Sequence, residues 1–216
     1  MRQKLFDGEN VFFRLMGKAG DFMCLNMLCI LASLPIVTIG ASVSALYEVL
    51  DELRSGKDGG CFKKYILEFK GHFRKATVYW MICLSAAVFL ILGMFGVRFM
   101  GDGLKELFQA ASVVLGFLWV GIVSFGLILI AWKDFTVREV LGKAVLITVG
   151  SFPWVAVNLL IMGVPILLLV SGNRFVAGVV MPLFVLVGIP AVGYVKMYVY
   201  RAALKKYGLV KEEKRA

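Results

Sequence analysis

Charged residues fall in clusters along this chain, and between the clusters it runs apolar for long stretches. Five stretches lack Asp, Glu, Lys and Arg altogether: 22–47, 76–97, 107–132, 144–173 and 175–195. A helix rises about 1.5 Å per residue and a bilayer's hydrocarbon core is about 30 Å thick, so about 20 residues suffice to cross. Each stretch is long enough. None shows the period-two alternation of a barrel strand, and single strands would leave backbone groups unpaired in lipid. The pattern therefore predicts an all-α, polytopic membrane helix bundle, one transmembrane domain over 1–216. Its five transmembrane helices are expected at about 22–47, 76–97, 107–132, 144–172 and 175–195, followed by a basic tail, 196–216.

The first stretch is interrupted by "SLPIVTIGAS", residues 33–42. Pro35 removes one amide donor, and Gly40 permits close backbone approach. Ser33, Thr38, Ser42 and Ser44 can bond the carbonyls that such a break exposes. Gly40, Ala41, Ser44 and Ala45 offer a small-residue surface for a neighbouring helix. The reading preferred here is a crossing helix broken near Pro35–Gly40 and packed tightly by Pro35, Gly40, Ala41 and Ser44. The alternative is a re-entrant hairpin hinged near Pro35, against which stand the short halves and the backbone groups a lipid-exposed turn would leave unpaired. "ASVSA" at 41–45 loosely fits a signal-peptidase site, but the apolar run exceeds a usual signal h-region.

Two amphipathic interfacial helices are predicted, over about 9–20 and 61–75. In the second, Phe62, Tyr65, Ile66, Phe69 and Phe73 recur at one-face helical spacing, with Lys63, Lys64, Lys70, Arg74 and Lys75 around them. Such a helix suits the headgroup boundary, and the same stripe could dock a partner. Basic residues are dense in the loops after the first and third stretches and in the tail, and sparse in the other two loops. This places the basic loops and the C-terminus in the cytoplasm. Five crossings then put the N-terminus outside, although Arg2, Lys4, Arg14 and Lys18 would favour the inside.

Composition agrees with the pattern: 60% of residues are hydrophobic and mean hydropathy is +0.86, against about 45–50% apolar residues in soluble domains. The net charge of +10 is assigned to topology and to anionic lipid headgroups on the cytoplasmic side, not to nucleic acid. Cys24, Cys29, Cys61 and Cys83 form no C-x-x-C pair, and His72 is the only histidine; no metal site, cofactor or disulfide frame is expected. No ionisable residue falls at mid-span, where one would mark an ion path. The polar candidates inside the spans are neutral. Asn26, Thr38 and Asn158 are read as interhelical or cavity residues, with ordinary helix–helix hydrogen bonding as the simpler role. No nucleophile–base constellation and no recurring carboxylate pair appears, so a non-enzymatic protein is expected.

The stretch "VFFRLMGKAGDFMCLNMLCILASLPIVTIGASVSALYEVL" closely resembles the opening of the YesL family of bacterial membrane proteins. The likeness continues in "FKKYILEFKGHFRKATVYWMI" and, more loosely, in "KAVLITVGSFPWVAVNLL". Its specific marks are the Phe-Phe-Arg start, Gly20–Asp21, Leu34–Pro35, Gly40–Ala41–Ser42 and Ala76–Thr77. The resemblance implies an integral plasma-membrane protein of unknown function, often encoded near carbohydrate uptake and degradation systems, and implies no catalytic or ligand residues. The expectation is an accessory component of carbohydrate uptake, with transporter subunits as partners and oligomerisation open. The alternatives are an autonomous transporter or channel for a neutral or weakly polar solute, or a membrane-interface enzyme.

Overall fold

The computed structural model describes residues 5–55, 60–96, 102–170, 178 and 182–209. The described residues are helical, without strands. In chain order the helices are α1 (Leu5–Ala32), α2 (Ile39–Arg54), α3 (Cys61–Gly96), α4 (Asp102–Trp132), α5 (Val137–Gly150), α6 (Phe152–Val170) and α7 (Ile189–Lys205). A 3-10 turn, Ile36–Thr38, joins α1 to α2, and a π turn, Phe184–Gly188, leads into α7.

The first apolar stretch does not cross as one bent helix. It turns back on itself. The Ser42 hydroxyl donates to the Cys29 carbonyl at 3.0 Å and accepts from Ser33 at 2.9 Å. In a continuous helix residues 29 and 42 would stand about 20 Å apart. Lys18 and Leu53 line one cavity at the other end of the two limbs, so α1 and α2 form an antiparallel hairpin with its tip at 33–38. Pro35 makes the turn by lacking an amide hydrogen and by forcing extended backbone before it; its own φ and ψ are −75° and 122°. The objection to a re-entrant turn was its unpaired carbonyls, and these are met by side chains. Thr38 Oγ1 reaches the carbonyls of Ala32 (2.7 Å) and Pro35 (2.8 Å), and Trp80 Nε1 of α3 donates to Ile36 O at 2.8 Å. Thr38 belongs to the stretch itself, whereas the Trp80 indole comes from outside the local pattern.

The charge-free parts of the limbs, 22–32 and 39–47, are about 11 and 9 residues, at most about 17 Å of helix and short of a roughly 30 Å core. At the tip Leu34 and Ile36 are 71% and 63% exposed. The opposite end of the hairpin is charged. Glu52 pairs with Lys64 at 3.2 Å, Asp51 with Arg201 at 2.6 Å, and the Cys61 thiol reaches Asp21. The lower part of α1, the end of α2, the start of α3 and the end of α7 thus share one face.

The hydropathy pattern predicts five crossings. Among the described residues, α3 and α4 are long and apolar enough to cross, and α5 with α6 adds a third if that bent pair is one span. The fourth stretch is broken by a 95° bend between Gly150 and Phe152. Pro153 cannot continue the ladder there, and Gly150 has no Cβ to obstruct the Tyr207 hydroxyl packed on it. The fifth stretch lies partly outside the described residues. The interfacial helices over 9–20 and 61–75 are not separate elements, because nothing interrupts the backbone at 20 or at 75. The first is continuous with α1 and the second with α3, whose 36 residues make about 54 Å of helix. Its basic turns therefore extend beyond the span.

Small residues set the closest contacts. A Cβ added at Gly40 would lie 2.5 Å from Trp80 Cβ and 2.8 Å from the Ala76 carbonyl. Ala41 and Ala45 are buried beside it, and Ser44 donates to Leu127 O of α4 at 3.2 Å. Between α3 and α4, Tyr79 lies over Gly126 and donates to Ile122 O at 2.7 Å, while Trp119 Nε1 donates to Cys83 O at 2.8 Å. Gly40→Ala is expected to destabilise the protein by about 1–3 kcal/mol through overpacking against backbone, read as a lower thermal midpoint in detergent. The same change at Gly96, where an added Cβ meets nothing within 4 Å, is expected to be silent.

Candidate functional site

Besides the hydroxyls around Ser42 in the hairpin, polar groups inside the bundle gather at two further places among the described residues. The first is a clasp on the π turn. Asn26 of α1 donates from Nδ2 to the Phe184 carbonyl at 3.3 Å and accepts at Oδ1 from the Ile189 amide at 3.2 Å. In an unassisted π turn those two backbone groups would bond each other. Here the carboxamide stands between them and matches both. The sequence explains why the helix widens at this point. Pro190 has no amide hydrogen to offer Leu186, and the Phe184 ring lies against Gly188, where a Cβ would not fit. Such single-turn π segments recur at functional sites.

The second is a buried polar layer between α2, α4, α6 and α7. The hydroxyls of Tyr47 and Tyr200 are 3.4 Å apart, with their rings edge to face at 5.7 Å. Ser124 and Asn158 face the Tyr200 hydroxyl. Asn158 is 0% exposed and meets the Tyr200 hydroxyl there. Lys196 lies one turn before Tyr200 on α7 and is 4% exposed, with no ion pair among the described residues. Tyr47 and Ser124 would remain beside the Tyr200 hydroxyl if the amide were lost. Asn158→Leu is therefore expected to change stability by no more than about 1 kcal/mol, measured by thermal unfolding in detergent.

Of the residues singled out from sequence, Asn26, Thr38 and Asn158 occupy separate places: the clasp, the hairpin turn and the polar layer. Pro35, Gly40, Ala41 and Ser44 come together where the hairpin meets α3 and α4. The Phe62–Lys75 stripe is divided. Tyr65 is buried, with its hydroxyl 2.8 Å from Ser42, and Phe69 stacks beside it. Phe62 and Phe73 are exposed, as are Lys63, Lys70, Arg74 and Lys75. Lys75 pairs with Asp134 in the α4–α5 turn at 2.6 Å, which holds that carboxylate below its usual range. Lys64 is drawn to Glu52.

Sequence reasoning missed Tyr47, Asp51, Lys196, Tyr200 and Arg201. All lie at or just beyond the edges of apolar stretches, where polar groups are assigned to the interface by default. A cavity of about 190 Å³, lined by Lys18, Phe22, Leu53 and Tyr194, opens at the charged end of the hairpin. Among the described residues, no group of three or more His, Cys, Asp or Glu could hold a metal ion.

With the hairpin and α3 in view, one likeness to known proteins can be placed. Residues 22–94 match the model of a family described as a protein of unknown function, DUF624. The match covers about a third of the chain, from the apolar limb of α1 to the last turn of α3. Neither a curated protein nor a solved structure matches. The DUF624 region contains the hairpin, the Gly40 contact and the Asn26 half of the clasp, and its description assigns no activity or ligand.

Proposed function

We propose that this chain is a non-enzymatic multi-pass protein of the plasma membrane that serves carbohydrate uptake as an accessory component, without carrying the solute itself. One observation supports this most: Asn26 and Thr38, two of the three polar candidates for a solute path, are engaged in fixing backbone breaks. Asn26 bridges the π turn, Thr38 closes the hairpin turn, and Ser42 ties the two limbs together. The carbohydrate association rests on the YesL resemblance. The partner surface is the exposed basic arc of α3, Lys63, Lys70 and Arg74, which reaches beyond the span. The density of Lys and Arg in the first and third loops and in the tail supports a cytoplasmic position for this arc and for the C-terminus. Because α1 and α2 return to the same face, the N-terminal segment with Arg14 and Lys18 belongs on that side too.

Crosslinking in native membranes followed by purification tests the reading. Recovery of carbohydrate-transporter subunits, lost on the triple change Lys63→Glu, Lys70→Glu and Arg74→Glu, is the expected result. An unchanged set of partners with unchanged growth on sugars would sink it. A solute carrier is the second reading, favoured by the buried polar layer of Asn158, Tyr47 and Tyr200 and by the buried Lys196. Sugar flux into liposomes holding only the purified chain, abolished by Asn158→Leu, would establish the carrier in place of the accessory role.

A further inference from the structure

The cavity at the charged end of the hairpin has an amphiphilic construction that the accessory role does not use. Its walls are the rings of Phe22 and Tyr194, edge to face at 5.9 Å, and the Leu53 side chain. Lys18 is exposed at its edge, and among the described residues it has no ion pair. Arg54 lies within electrostatic reach of the Tyr194 hydroxyl, which in turn meets Tyr198 at 3.5 Å. Of the acids nearby, Asp51 pairs with Arg201 at 2.6 Å and stands 3.9 Å from Arg54, Glu52 pairs with Lys64 at 3.2 Å, and Asp21 meets the neutral Cys61 thiol and keeps its charge. Lys18 is thus the lining cation that no carboxylate holds among the described residues.

We propose that this cavity binds the phosphodiester headgroup of an anionic phospholipid. A volume of about 190 Å³ equals about six waters, enough for a phosphodiester and the carbons beside it but not for acyl chains. The surface next to the cavity supplies a place for those chains. Met23, Met27 and Leu31 stand exposed at i, i+4 and i+8 of α1, a line running from the cavity to the apolar tip. A lipid seated this way sets its phosphate against Lys18, its glycerol against Phe22 and Leu53, and its chains along the methionines. Tyr194 and Tyr198 suit the same depth, since tyrosine favours the headgroup level. Free phosphate would meet the same lysine and gain nothing from the apolar wall. The proposal requires only that the chain lie in a bilayer, so its failure would leave the accessory role standing.

Native mass spectrometry of the purified full chain, titrated with phosphatidylglycerol or phosphatidylcholine, tests it. The expected result is one retained phosphatidylglycerol with about tenfold preference over phosphatidylcholine, the scale of one charged contact. Lys18→Glu, at an exposed position, is expected to abolish that preference; Leu53→Trp, which fills the cavity, is expected to weaken retention about tenfold. Lys105→Glu, an exposed cation elsewhere, should change nothing. Equal retention of the two lipids by the unaltered protein, or undiminished retention by Lys18→Glu, would overturn the proposal. So would displacement of phosphatidylglycerol by millimolar inorganic phosphate, which would show an anion site without a lipid.

Discussion

Asn26→Leu is expected to lower stability by about 2–4 kcal/mol and to release the N-terminal end of α7 from the hairpin. The change strands the Phe184 carbonyl and the Ile189 amide, which Asn26 now bonds at 3.3 and 3.2 Å. Each unpaired buried backbone group costs about 1–3 kcal/mol, and Pro190 limits recovery because the next amide in line does not exist. The helix can regain part of the loss by closing the π bond directly, which is why the sum stays below the two full penalties. Hydrogen exchange at Ile189 is the specific readout: its protection should fall sharply while that of α3 and α4 holds. Asn26→Gln keeps the carboxamide but moves it by one methylene, so it should rescue only in part. A fully protected Ile189 amide in Asn26→Leu would mean that the clasp is incidental.

Arg201→Met is expected to cost about 3 kcal/mol, because it leaves Asp51 buried with its nearest remaining cation, Arg54, at 3.9 Å. The Arg201 guanidinium also lies 5.3 Å from the Trp132 ring, so methionine retains some packing while losing the charge. The sign of a second change separates charge from packing. Adding Asp51→Leu to Arg201→Met removes the stranded carboxylate and should recover most of the loss, since apolar replacement of a buried pair is often neutral or stabilising. Thermal unfolding of the two single variants and the double variant in one detergent measures this coupling. Simple additivity of the two single losses would contradict the account.

The membrane class and the pair α3–α4 were legible because charges bound those runs on both sides: Arg98 and Lys105 at one end, Lys75 and Lys133 at the other. The break near Pro35 was legible as well, down to the hydroxyls that serve it. Its geometry was not. Whether a Pro-interrupted run bends or reverses depends on which groups meet the turn's carbonyls, and the Trp80 indole comes from 44 positions along the chain. The distinction between a re-entrant limb and a crossing helix is thus a tertiary fact. Asn26 could be marked as an amide needing a partner, but its partner is a π turn 158 residues away. Asp51 and Arg201 were hidden for a different reason. Each sits just beyond an apolar stretch, where a charge normally faces water, and only the packing of α7 against the hairpin buries the pair.

The central claim is that the first apolar run enters and leaves the membrane on the same face, and labelling tests it most directly. In a variant with Cys24, Cys29, Cys61 and Cys83 replaced, single cysteines are introduced at Lys18, Lys63 and Lys105 and exposed to a membrane-impermeant maleimide in oriented vesicles. The account predicts that positions 18 and 63 react from one side and position 105 from the other. Reaction of position 18 from the side opposite to 63 would restore a crossing helix and contradict the hairpin.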